Sequence, residues 1–257
     1  MNPAEYGRMF EAEDSHWWYV GLHELVLGRV ARESERLGRR LRIFDAGCGT
    51  GRLCQLMSRY GEVAGVDVSA EAVRYCHKRR VAAKLGDLNE LELEPGSYDI
   101  ITSIDVIYHT GIRDDVRVLQ KLRAALKPGG MLILNLVAFE FLRSTHDVAV
   151  HTRERYRRDT LKERLAAAGF QSGFVTYRVS LLFPLIAAYR LLSRLLRRDT
   201  HAHQVLSDVA LPQPLVNAFF LRLLRMENVL LQRWALPVGT SVFAVARSSK
   251  PPYQESI

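Results

Sequence analysis

Cysteine is scarce in this chain of 257 residues: only Cys48, Cys54 and Cys76 occur, all in the first third. There is no even framework and no CxxC pair, which argues against a disulfide scaffold and structural zinc and fits a reducing compartment. Long apolar runs are also lacking. No stretch free of Asp, Glu, Lys and Arg exceeds 13 residues, against roughly 18 for a bilayer-spanning helix. The N-terminus is polar and acidic, without the basic and apolar regions of a secretory leader, so a cytoplasmic location is expected. Repeats and low-complexity tracts are absent, which excludes solenoids. His201 and His203 have no carboxylate or cysteine at ligand spacing, so no metal is expected.

What is present suits a real core: 48% of residues are hydrophobic and 25% charged. The net charge of +8 is uneven. Residues 1–150 hold 20 basic and 21 acidic residues, net −1, and residues 151–257 hold 16 and 7, net +9. Such asymmetry is either a solvated basic surface or the mark of an anionic partner.

Residues 1–40 read as helices around His16-Trp17-Trp18-Tyr19. Two adjacent tryptophans cannot sit in a free tail. One is expected in the core and the other over a ligand, making this segment a lid. From residue 41 strand and helix alternate. Strands are expected at 42–46, 62–67, 81–86, 98–104 and 131–138, with helices at 52–60, 69–80 and 114–126. Lys127-Pro128-Gly129-Gly130 breaks the last of these helices. This alternation predicts an α/β fold, a Rossmann-like doubly wound parallel sheet with its ligand at the C-terminal strand edge. A helix at 160–168 and strands at 172–179 and 240–246 follow. The expected organisation is a lid (1–40), a core (41–179), a helical insertion (180–239), and the last strand with its tail (240–257).

The chemistry centres on Asp45-Ala46-Gly47-Cys48-Gly49-Thr50-Gly51, between a strand and a helix. Glycines let a ligand approach backbone closely, and a helix N-terminus offers free N–H groups. The spacing is GxGxG, not the dinucleotide GxGxxG. Asp45 is placed to accept from a cationic amine or to brace the turn. Asp67, ending the second strand, is placed to accept both ribose hydroxyls. Asp87, after the third strand, is placed to meet an adenine amino group, directly or with the Leu88 backbone taking that contact. An amino-acid end, a ribose and an adenine together describe S-adenosylmethionine. Val68, Leu88, Ile104 and Trp18 complete the expected cofactor contacts, with Cys48 a small residue packing the turn.

Residues 45–51, Asp67, Gly86-Asp87, Tyr98-Asp99-Ile100-Ile101 and the 122–130 turn stand in order. Over roughly residues 41–138 this set resembles the class I S-adenosylmethionine-dependent methyltransferases. The resemblance implies a seven-stranded sheet with an antiparallel last strand. It also implies that Gly47, Gly49 and Gly51 cradle the methionine end, Asp67 the ribose and Asp87 the adenine region. Residues 13–19 and His151-x3-Arg155-Tyr156 resemble a bacterial branch associated with glycan, lipid or secondary-metabolite modification. Relatives often place Glu-His after the fourth strand, where this chain has Tyr108-His109.

His109 and His151 are the candidate general bases, although methyl transfer from a sulfonium needs little beyond in-line approach. Trp17, Tyr108, Arg155 and Tyr156 are candidate substrate contacts, Arg155 for an anionic group. The expected acceptor is a small molecule or lipid-linked group, most often methylated on oxygen. An RNA or DNA methyltransferase, a silent cofactor-binding scaffold and, on the turn alone, a nicotinamide dehydrogenase stand as alternatives. Nucleic acid is disfavoured: no Asn-Pro-Pro-Tyr-type tetrapeptide or RNA-binding module occurs, and the C-terminal arginines alternate with leucines. The 181–198 helix places Arg190, Arg194, Arg197 and Arg198 on one face. Three readings stay open for it: packing on the core with arginines in water, lying on an anionic membrane, or holding an anionic substrate. The sequence gives no oligomeric state.

Overall fold

The central strands that will carry the site are buried on both faces, residues 99–103 and 130–136 without interruption. In this computed structural model, residues 3–196 and 211–249 are described. Arg197, Arg198, His201 and His203 lie outside the described residues, as does the side chain of Arg194.

In chain order the helices are α1 (Pro3–Ala12), α2 (Trp17–Leu37), α3 (Arg52–Met57), α4 (Ala70–Lys78), α5 (Asp115–Ala125), α6 (Thr145–Ala149), α7 (Arg158–Ala167), α8 (Phe183–Leu196) and α9 (Pro214–Leu230). The strands are β1 (Leu41–Ala46), β2 (Gly61–Asp67), β3 (Ala82–Leu85), β4 (Tyr98–Ile104), β5 (Leu126–Val137), β6 (Phe170–Arg178) and β7 (Ser241–Ser248). They form one seven-stranded sheet in the order β3-β2-β1-β4-β5-β7-β6. β7 runs antiparallel to both β5 and β6. The other pairings are parallel.

Local chemistry sets the boundaries. Ser69 caps α4 by accepting from the Ala72 N–H at 3.4 Å, and Asp114 caps α5 through the Arg117 N–H at 3.0 Å. Gly38 closes α2 in the left-handed region at φ 62°. One boundary differs from expectation. The Pro-Gly-Gly breaker does end α5, but no loop follows. Leu126 turns extended and pairs with Tyr98, and the register then shifts so that Met131 meets Ile100. The breaker is thus an irregularity inside β5.

Two apolar layers sandwich the sheet. One packs Leu119, Leu122 and Leu161 of α5 and α7 against Ile101, Leu132 and Leu134. The other packs Leu22, Val26 and Val30 of α2 against Ile43, Ile100 and Ile133.

The insertion leans on α2. Gly21 allows this, since a Cβ there would lie 2.7 Å from Leu224 Cδ1. Asn217 accepts from the Trp17 N–H at 2.9 Å and donates to the Ser15 carbonyl at 2.8 Å. Glu227 of α9, fully buried, accepts from the N–H groups of Val179 and Ser180 at 2.6 Å each and Leu181 at 3.1 Å. One carboxylate therefore fixes where the chain leaves β6 and enters the insertion. Removing it strands three backbone donors, the Val179 N–H among them buried, at a cost of about 3 kcal/mol. Glu227→Ala should lower the urea-unfolding free energy by about that amount, with fast amide exchange concentrated in residues 179–196. A loss under ~1 kcal/mol would contradict this account.

Candidate active site

A cavity of about 820 Å³ opens at the C-terminal ends of the parallel strands. Its floor is the glycine turn with the ends of β2 and β4, and α1, the start of α2, and α8 contribute its cover.

The turn is shaped for close approach. Gly47 has φ 88°, and a Cβ there would sit 2.2 Å from Val106 Cγ2. Gly49 has φ 53° and faces Met9 of α1, whose Cε would be 2.8 Å from an added Cβ. Gly51 does not line the cavity; it begins α3 and packs on Cys76, so its role is structural. Cys48 lines the cavity but is buried, its sulfur 3.7 Å from that of Cys76.

Asp67 Oδ2 accepts from the Gly49 N–H and Oδ1 from the Ser69 N–H, each at 2.9 Å, with the Tyr6 hydroxyl 3.5 Å away. Burial raises this carboxyl above its ordinary range, against the pull of those two N–H groups. Each oxygen keeps capacity for a further donor, as two ribose hydroxyls require. Val68, beside it in the cavity wall, is 71% exposed, a flat apolar surface for a ring to cover. Leu88 and Ile104 also line the cavity. Asp87 lines it too, with Oδ1 accepting from the N–H and Nδ2 of Asn89 at 2.9 and 2.6 Å. Asp45 reaches the floor while its oxygens are held by Thr102 at 2.6 Å and Cys54 at 3.3 Å. Burial lifts its pKa to about 6.

Trp17 and Trp18 do not divide into one core and one site residue. Both are half-buried and both line the cavity. Trp17 packs edge-on against Phe220 at 5.3 Å, and Trp18 lies 5.5 Å from the Arg178 guanidinium.

Several expected substrate contacts are otherwise engaged. Arg155 lines the cavity but is buried, chelating Asp147 at 2.8 and 3.0 Å and donating to the Ala138 carbonyl at 2.8 Å. Its guanidinium is committed internally, which corrects the anion-binding expectation. Tyr156 lies away from the cavity, 1% exposed, with its hydroxyl bonded to Asp115 and Arg164. His109 lines the cavity, but Nε2 donates to the Asp105 carbonyl at 2.9 Å and Nδ1 is buried without a partner. Burial lowers its pKa to about 4. Neither nitrogen is offered to an acceptor, which argues against a base role. Tyr108 is buried beside it, and His151 lines the cavity from a left-handed backbone at φ 56°.

Sequence reasoning passed over Asp105. It directly follows β4, at φ 57°, a conformation uncommon outside glycine. Asn135 Nδ2 donates to its two oxygens at 3.1 and 3.0 Å. Burial pushes its pKa up to about 7, against the pull of Asn135 and Arg178. The signal was present, a carboxylate one residue past a strand at the ligand edge, and His109 obscured it. Arg190 is a second surprise. It turns inward to line the cavity and donates to the Leu142 carbonyl at 3.1 Å, while leucines of α8 face outward. Of the four arginines expected on one face of this helix, only Arg190 has a described side chain, and it lines the cavity. Among the described residues no cluster of three or more His, Cys, Asp or Glu could hold a metal ion.

The glycine floor, the pinned Asp67 and bare Val68 fit S-adenosylmethionine, and the carboxyl groups of Asp45, Asp67 and Asp105 favour its sulfonium cation. Comparison with known proteins agrees. Residues 44–134 match the family described as "Methyltransferase domain". A ubiquinone biosynthesis O-methyltransferase of Pectobacterium carotovorum is 29% identical over 144 residues, 50% of this chain and 59% of that protein. A probable S-adenosylmethionine-dependent methyltransferase of Mycolicibacterium smegmatis is 31% identical over 166 residues, 62% of this chain and 61% of its own. The chain thus spans under two thirds of the length of these relatives. Among solved structures, a SAM-dependent methyltransferase from Thermotoga maritima superposes with a TM-score of 0.58 at 19% identity, covering 96% of this chain and 95% of that one. It shows the shared fold. Residues 44–134 are thus a methyltransferase domain, on the fold shared with that structure. Its cofactor is S-adenosylmethionine.

The cover from α1 hangs on Glu13, whose carboxylate accepts from Thr50 of the turn and from Arg79 at 2.7 Å. The Arg79 guanidinium in turn stacks on Phe10 at 4.3 Å. Glu13→Ala should free α1, with amide exchange across residues 5–12 at least tenfold faster. Unchanged protection would show that α1 is held by other contacts.

Proposed function

We propose that the protein methylates an oxygen of a small or lipid-linked acceptor, with Asp105 as general base. Asp105 carries this reading. It is the carboxyl at the end of the central strand, in the cavity, with a proton affinity near neutrality. S-adenosylmethionine supplies an electrophilic methyl group on a sulfonium. The chain's task is then to hold acceptor and donor in line at about 3 Å, exclude water and receive the acceptor's proton.

Acidity narrows the acceptor. A phenolic hydroxyl ionises near 10, about three units above Asp105, so transfer to the carboxylate is uphill by about 4 kcal/mol. An aliphatic alcohol lies far beyond that range, and a neutral amine needs no base before attack. A phenol or enol therefore uses what this cavity offers. Relatives named as O-methyltransferases support the choice of oxygen.

The sign of the pH dependence follows. Below about pH 6 Asp105 holds its proton and cannot accept another, so methylation of a phenolic panel should rise with pH through about 7. Glu13 also titrates near 7, since burial outweighs Thr50 and Arg79, so variants assign the limb. Asp105→Asn should lose at least about 100-fold in kcat and lose the pH limb, with cofactor affinity retained. Glu13→Gln should keep the limb. An Asp105→Asn enzyme with wild-type rate and profile would end the assignment.

A further inference from the structure

The two described helices of the insertion turn apolar side chains to solvent. On α8 and just before it, Leu181, Leu185, Leu191 and Leu192 are 44 to 61% exposed. On α9, Leu215, Phe219, Met226 and Val229 are 55 to 86% exposed. The spacing is regular: residues 215, 219, 222, 226 and 229 fall on one helical face, one of them Arg222, and Arg233 is exposed in the turn just beyond α9. The inward residues Leu182, Ile186, Phe220 and Leu224 meet the tryptophans of α2 in a small core. The outward leucines are therefore not a core awaiting its partner within the described fold. An exposed apolar area of this kind marks an interaction surface.

Charge identifies what covers it. Among the described residues of 180–239 the only acidic one is Glu227, which is fully buried. The exposed charges on these helices are arginines, including Arg222 and Arg225 of α9. Arg225 is paired with Glu24 of α2, at 2.7 Å. Apolar side chains flanked by arginines and lacking exposed carboxylates complement an anionic bilayer, where leucines and phenylalanine enter the acyl boundary and guanidinium groups meet phosphate. A second copy of the chain fits poorly, because a two-fold contact through this face would set arginines against arginines.

We propose that the α8–α9 face docks on an anionic phospholipid surface and that the cavity takes its acceptor from that surface. Tyr189 links the two: it lines the cavity and is 66% exposed, so it stands at the mouth beside the outward leucines. The docking half rests on this surface alone, while the delivery half rests on the methyltransferase reading above.

The test is co-sedimentation with vesicles of phosphatidylglycerol and phosphatidylcholine, or of phosphatidylcholine alone. Wild-type protein should partition at least tenfold better onto the anionic vesicles at low salt. Leu185→Asp/Phe219→Asp and Arg222→Glu/Arg233→Glu should each lose at least tenfold, with unchanged far-ultraviolet dichroism and cofactor affinity. Protein that stays in the supernatant with anionic vesicles overturns the proposal. So does a wild-type dimer in analytical ultracentrifugation that Leu185→Asp/Phe219→Asp converts to monomer without any vesicle binding, since a second copy would then be the occupant. Cofactor affinity is read in the same samples, so loss of docking and loss of the methyltransferase reading are separable. For delivery, a long-tailed phenol in anionic vesicles should be methylated at least tenfold faster by wild type than by Leu185→Asp/Phe219→Asp. Equal rates would overturn delivery.

Discussion

The site depends on one carboxylate placed between two backbone donors. Asp67 ends β2, and its oxygens take the N–H of Gly49 in the glycine turn and of Ser69 at the start of α4. Two separate pieces of backbone, the turn and the start of α4, are thereby tied to one side chain. The turn can then remain open where Gly47 and Gly49 lack a Cβ, and Val68 can stay bare to solvent. Burial raises this carboxyl, and the two N–H groups work against that rise and fix its aim. The parallel sheet supplies the rest, by delivering the ends of β1, β2 and β4 to one edge.

Two covers close over that edge, and they brace each other. α1 sits on the turn through Met9 and Glu13, while α9 grips α2 through Gly21 and Asn217. Glu227 sets the angle at which the insertion departs from β6. Arg178 lies beneath, fully buried against Trp18, with Glu227 and Asp105 as its nearby negative charges. Cofactor floor, acceptor chamber and outer apolar surface are thus successive layers of one arrangement. This layering is what the proposed methylation of an acceptor drawn from a surface would use.

The sheet was legible because its signals are local. Alternating apolar runs, the caps Ser69 and Asp114 and the breaker at 127–130 each act over a few residues. The seven strands and the antiparallel last one follow from the resemblance those residues carry. The glycine turn, Asp67 and the strand-end positions of Val68 and Leu88 were legible for the same reason. What escaped depends on long-range packing. Arg155 and Tyr156 looked available until Asp147 and Asp115 were seen to occupy them. Periodicity gave α8 its faces but not which one turns outward, so Arg190 points in and the leucines out. Asp105 carried no motif; its interest comes from burial and from Asn135, 30 residues away.

The central claim is that Asp67 and the glycine turn hold S-adenosylmethionine. The most direct measurement is calorimetric binding of that ligand to the full chain, with NAD as the comparison and Asp67→Ala as the control. The account predicts binding of S-adenosylmethionine alone, and at least about tenfold weaker affinity in the variant, or about 1.4 kcal/mol. NAD binding, or equal affinity for S-adenosylmethionine in the folded variant, would contradict it.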